Sequence, residues 1–156
     1  MARFRYSMQS LLNIKLKMET QAKQEFSAAK AACEEEEGRL QGLRDRKAFY
    51  EREAAGLLGG AEEDGGTLDL QAIKDSREAI RCMEDRIADQ KVRVDAARRN
   101  LEQARTKLAG VMVERKTHET LRDKAFEQFL AEEKRQEGKE IDELTSYTYG
   151  QRAKGR

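Results

Sequence analysis

The chain has no proline and no tryptophan, a single histidine and two cysteines among 156 residues, and aromatic side chains make up only 6 % of it. Without proline, nothing fixes φ or deletes a backbone donor, so the strongest helix breaker is missing. No apolar run approaches the ~20 residues that a membrane-crossing helix needs. Residues 1–6, Met1-Ala2-Arg3-Phe4-Arg5-Tyr6, contain no apolar h-region, so no secretory signal is expected. Two cysteines do not make a disulfide framework. The phosphate-loop pattern Gly-x-x-x-x-Gly-Lys-Ser/Thr is absent; the one Gly-Lys pair, Gly138-Lys139, runs on to Glu140, which excludes a P-loop ATPase. Charge of one sign is also lacking. Thirty-one Lys and Arg face 30 Asp and Glu, for a net +1, which gives no overall attraction to nucleic acid or anionic lipid.

What is present is charge in balance and strong helix formers. Charged residues are 39 % and hydrophobic residues 38 %, against about 25 % and 45–50 % in an ordinary globular domain. That is too little apolar surface for a compact core of this length. Ala, Leu, Glu, Lys, Arg and Gln dominate, and these favour helix. The combination predicts long helices packed along narrow seams.

One segment breaks the pattern. Residues 56–66, from Gly56 to Gly66, hold five of the eleven glycines, and each glycine inside a helix costs about 1 kcal/mol relative to Ala. The expected organisation is a single coiled-coil domain over 1–156. Helix 1 runs from about 4 to 56, a glycine-rich loop covers 57–66, helix 2 runs from about 68 to 144, and a flexible tail covers 150–156. Thr67 is the expected N-cap of the second helix, with Asp69 at its positive end. At ~1.5 Å rise per residue the helices would be about 80 and 115 Å long.

Heptads support an all-α, antiparallel coiled-coil hairpin with helix 2 longer than helix 1. Ile73, Ile80, Ile87, Val94, Leu101 and Leu108 recur every seven residues. Met83, Ala97, Ala104 and Val111 fill the alternate seam, with Ser76 and Gln90 as polar exceptions. In helix 1, Phe26, Cys33, Leu40, Lys47 and Ala54 make one seam, and Ala22, Ala29, Glu36, Leu43, Tyr50 and Leu57 the other. A turn near 61.5 pairs residues whose numbers add to about 123. Leu40 then faces Met83, Ala22 faces Leu101, Lys47 faces Ser76, and Phe4 lies near Glu119. Everything past about residue 120 overhangs helix 1, and that overhang carries Leu121, Ala125, Phe126, Phe129 and Leu130 at helical spacing. Such a stripe needs a partner.

No catalytic constellation emerges, and no cofactor, metal or small-molecule substrate is expected. His118 sits at a seam position where the pairing runs out, beside Arg115. Cys33 and Cys82 are offset by about 12 Å in this register, beyond the ~7 Å that a disulfide can span. Glu34-Glu35-Glu36-Glu37 reads as a solvated face with interhelix pairs, opposite Arg86 and Lys91. The basic clusters Arg44-Asp45-Arg46-Lys47 and Arg98-Arg99 lack the aromatic interleaving of a nucleic-acid surface.

The ends of the chain are more specific. Phe4-Arg5-Tyr6-Ser7-Met8-Gln9-Ser10-Leu11-Leu12-Asn13-Ile14-Lys15, running on to Glu19 and Ala22, resembles the opening of the FliJ family, a component of the bacterial flagellar type III export apparatus. Glu137-Gly138-Lys139-Glu140-Ile141-Asp142-Glu143 resembles that family's Glu-x-Lys-x-x-Asp-Glu pattern, with Gly138 where a helix former is expected. The Phe49-Tyr50 pair ahead of the loop also fits. The resemblance implies a stalk like that of rotary ATPases, without catalytic activity. It implies engagement and stimulation of the hexameric flagellar export ATPase, and contacts with the export gate membrane protein and with export chaperones. The implied place is cytoplasmic, peripheral at the inner face of the bacterial membrane, in flagellum biogenesis and hence chemotaxis. The partner-binding candidates are Leu121, Phe126, Phe129 and Leu130 on the overhang, and Lys139, Asp142 and Glu143 in the C-terminal pattern. A stalk of a virulence-type secretion ATPase and a nucleic-acid-binding hairpin are the alternatives.

Overall fold

A computed structural model describes residues 2–63 and 67–155. Two helices, α1 (Gln9–Glu63) and α2 (Leu70–Lys154), form the expected antiparallel hairpin, and α2 is the longer. Their bounds differ from expectation at all four ends. Residues 2–8 are not helical; a turn closed by the Gln9 amide donating to the Tyr6 carbonyl at 3.1 Å leads into α1. α1 continues through Gly56, Gly59 and Gly60 to Glu63. Strong helix formers surround these glycines (Ala54, Ala55, Leu57, Leu58), and their propensity outweighs the penalty of about 1 kcal/mol per glycine. The part of the predicted loop at 64–66 lies outside the described residues. Asp69, not Thr67, caps α2: its Oδ1 accepts from the Gln71 and Ala72 amides at 3.1 and 3.2 Å, which satisfies donors left over in the first turn. α2 carries on past 144 and through Gly150 to Lys154, with Arg152 and Lys154 complementing the negative end of the helix dipole.

The chain divides into two compact units, residues 22–108 and residues 2–21 with 109–155. In the first, the seam runs as the heptads require except at Leu57, which they place in the seam and which is exposed. Ala22, Cys33, Leu40, Met83, Ile87 and Val94 are buried, while Cys82 is exposed. Leu40, Ile87 and Val94 form one apolar cluster, and Leu43 packs against it. Gln90, a polar exception in the sequence, is buried and satisfied: its Nε2 donates to the Glu36 carbonyl at 3.0 Å and to the Glu36 carboxylate. The four-glutamate run resolves into pairs. Glu35 and Glu36 bind Arg39, and Glu37 binds Arg98 across the seam at 2.9 Å.

The register is not the expected one. Leu40 clusters with Ile87 and Val94 rather than with Met83. Lys47 reaches Glu84, not Ser76, at 3.3 Å, and Glu25 pairs with Lys107 at 2.6 Å. In the second unit, Lys15 bonds Glu114 at 2.7 Å rather than facing Leu108. Each partner lies about one heptad further along α2 than the turn at 61.5 requires. The reason is the continuation of α1 to Glu63. Moving the turn by three or four residues moves the opposing residue by about twice that, and a seam of period seven accepts the slip without changing which residues it buries.

The register can be checked by cross-linking. Leu40 sits between Ile87 and Val94, so Gln90, midway between them, is its opposite. With the native cysteines replaced, a Leu40→Cys, Gln90→Cys chain should oxidise to an intramolecular disulfide. Leu40→Cys with Met83→Cys should not, because the two are offset by about 10 Å. The reverse pattern on a non-reducing gel would restore the shorter register.

Candidate partner-binding end

In the unit of residues 2–21 and 109–155, Leu12 and Val111 are buried at 1 % and 8 % exposure. Around them the seam turns ionic. Glu19, itself buried, lies against the Arg115 guanidinium, whose Nη1 also donates to Glu119 at 2.6 Å. The Glu119 carboxylate, then Glu19, hold the Arg115 guanidinium above its ordinary pKa. His118, half-buried in the same stretch, keeps an Nδ1 with no hydrogen-bond partner among the described residues.

The Lys15 ammonium holds the Glu114 carboxyl below its ordinary value of 4.5. A carboxyl whose folded-state pKa is depressed contributes stability above its unfolded pKa and loses it as pH falls through the folded value. Glu114 is solvent-exposed and screened, so the effect is small. The acid-side melting curve below pH about 4.5 should be shallower in Glu114→Gln than in the native chain. Identical acid limbs would remove this pair from the pH dependence.

Beyond this network come the predicted apolar candidates. Phe126 and Phe129 do lie past the end of α1, but the non-helical segment ahead of it reaches them. The Phe4 ring sits 5.1 Å from Phe126, edge-on, and 5.4 Å from Phe129. Phe4 was expected opposite Glu119, so the contact falls about 10 Å further along α2, as the heptad slip requires. Phe129 is half-buried and Phe126 is 42 % exposed. The rings therefore belong in part to the hairpin's own packing, which corrects the expectation that they stand free. Ala2 extends the contact into a groove with Phe129, Leu130, Glu133, Lys134 and Glu137. Leu121 is separate from this group, in a shallow groove with Val113, Thr117 and Lys124.

Past Glu137, α2 continues alone among the described residues. Every residue from 138 to 154 is exposed, and Ile141, Leu144, Tyr147 and Tyr149 are 62–68 % exposed. Ile141, Leu144, Thr145, Thr148, Tyr149 and Arg152 line one shallow concavity. With about 100° of turn per residue, Ile141, Leu144 and Thr148 share one face, and Lys139, Asp142 and Glu143 share the opposite one. The predicted charged candidates and the apolar stripe are thus two sides of one projecting helix end. The sequence reading missed the stripe because it ended helix 2 at about 144. The spacing of Ile141, Leu144 and Thr148, the a/d spacing of a heptad, is the signal that could have found it.

Among the described residues, no group of three His, Cys, Asp or Glu could hold a metal ion, and no helix is long and apolar enough to cross a membrane. The family model described as "Flagellar FliJ protein" matches residues 4–154. No curated protein matches the chain. Among solved structures, that of a YscO homologue from Chlamydia trachomatis is similar, with a TM-score of 0.80 at 23 % identity, covering 99 % of this chain and 100 % of that one. At that identity the likeness speaks to the fold.

Proposed function

The chain belongs to the flagellar FliJ family, and from that premise we propose that it is a stalk-like component of the flagellar type III protein export apparatus that engages and stimulates the hexameric export ATPase. What supports the reading is the bare end of α2, residues 138–154, with an apolar face of Ile141 and Leu144 opposite a charged face of Lys139, Asp142 and Glu143. A helix of that kind cannot bury its apolar face alone. A ring whose pore admits one helix end would cover it on all sides. In the unit of residues 22–108 the two helices are held together by a buried seam and by ion pairs across it. The ATPase supplies the chemistry; this chain supplies contact and leverage. The same reading extends to the export gate and the export chaperones as partners, with the chain held at the inner face of the bacterial membrane by those contacts.

The fold shared with the YscO homologue favours one second reading, service to a virulence-type secretion ATPase. Presenting the purified chain to both ATPases separates the two. The hydrolysis rate of the flagellar enzyme should rise with added chain and saturate. No rise, together with failure to retain the ATPase in a pull-down, would overturn the proposal.

A further inference from the structure

Lys15, Arg39, Lys47, Arg98, Arg105, Lys107, Arg115 and Arg135 each meet an acid in an ion pair. One groove instead gathers three basic side chains that do not. Arg3, Arg5 and Arg122 line it together with Phe4, Tyr6 and Gln9, and none of the three arginines has an ion pair among the described residues. All three are exposed. The groove lies between the non-helical N-terminal segment and α2, and the Phe4 contact with Phe126 and Phe129 pins the segment there. Exposure alternates along the segment: Arg3 and Arg5 are exposed while Phe4 and Tyr6 are half-buried, which is the pattern of extended backbone. The peptide groups of Arg3, Phe4 and Arg5 make no backbone hydrogen bond among the described residues.

We propose that this groove is a docking site for an extended acidic segment of a partner protein, one that presents two or more carboxylates to Arg3, Arg5 and Arg122. Guanidinium groups bind carboxylates through paired, charge-assisted hydrogen bonds. The unpaired peptide groups beside them suit a second extended chain, which would add main-chain hydrogen bonds as strand addition does. A flat anionic membrane fits less well. Polybasic membrane segments usually carry about four to eight Lys and Arg, more than the three arginines of this groove. The inference is independent of the ATPase reading, because it concerns this chain and a peptide alone.

The test is a fluorescence-anisotropy titration of the full chain against a labelled decaglutamate peptide at low salt. Two triple variants carry the same charge change. Arg3→Gln, Arg5→Gln, Arg122→Gln empties the groove; Lys74→Gln, Arg77→Gln, Arg81→Gln lies elsewhere on α2. Affinity should fall at least about tenfold for the first and stay near native for the second, with melting curves by circular dichroism unchanged in both. Equal losses would reduce the effect to net charge and overturn the proposal, as would no loss in either. Free glutarate, which has carboxylates but no peptide backbone, should displace the labelled peptide only at much higher concentration; equal potency would overturn the extended-segment assignment. Phosphatidylglycerol vesicles are the remaining arm. Arginine-dependent binding to vesicles without binding to the peptide would assign the groove to a lipid surface instead.

Discussion

Val94→Asp should leave the chain predominantly unfolded at 25 °C. Val94 is 2 % exposed, one of the two largest fully buried side chains, and it joins Leu40 and Ile87 in the cluster that closes the seam. Removing it forfeits roughly 1.5–3 kcal/mol of apolar transfer. A carboxylate in its place must stay charged in an apolar setting, take up a proton, or pull the helices apart, and each route costs several kcal/mol more. A two-helix seam has little core to spare, and whole domains rest on only about 5–15 kcal/mol. The control is two residues away. Val92 is 66 % exposed, and Val92→Asp should shift stability by no more than about 0.5 kcal/mol. Helical ellipticity at 222 nm, measured for both variants, decides it. A native-like melting curve for Val94→Asp would mean that the seam does not close around this residue. The sequence alone would have chosen Leu101 for this experiment; Leu101 is only half-buried, so its substitution should weigh less.

The second large effect is on function. Ile141→Ser with Leu144→Ser should leave the melting temperature almost unchanged and, under the proposed stalk role, remove most of the stimulation of the export ATPase. Both side chains are more than 60 % exposed, so the fold does not need them. If the projecting end of α2 enters the ring, burying them contributes roughly 1.5–3 kcal/mol each, and their loss weakens engagement by about two orders of magnitude or more. Replacing Phe126 and Phe129 is a poorer probe. Those rings also hold Phe4, so their removal lowers stability and confounds the readout. Neutralising Lys139, Asp142 and Glu143 should reduce stimulation less, since exposed ion pairs contribute only about 0–1 kcal/mol each. Full stimulation by a folded Ile141→Ser, Leu144→Ser chain would show that this end is not the engaging element.

The sequence by itself determined the two helices, the antiparallel hairpin and most of the residues that lie in the seam; Leu57, which the heptads put there, is exposed. Buried Ala22, Cys33, Leu40, Met83, Ile87, Val94 and Val111 are positions the heptads already marked, because apolar burial at period 3.5 is a local property that each helix carries alone. The sequence also identified the family from the two ends of the chain. It could not determine the register. A slip of one heptad leaves every seam residue in the seam, so the pattern is blind to it, and only the continuation of α1 through three glycines decides where the turn falls. The candidate site depended on that decision. Once the partner of Phe4 moves from the neighbourhood of Glu119 to Phe126 and Phe129, those rings pass from a bare overhang into a packed contact. The unpartnered stretch then moves outward to Ile141, Leu144 and Tyr147. The arginine groove is likewise a product of tertiary structure: Arg3 and Arg5 are more than a hundred residues from Arg122 in sequence, and only the path of the non-helical segment along α2 brings them to one place.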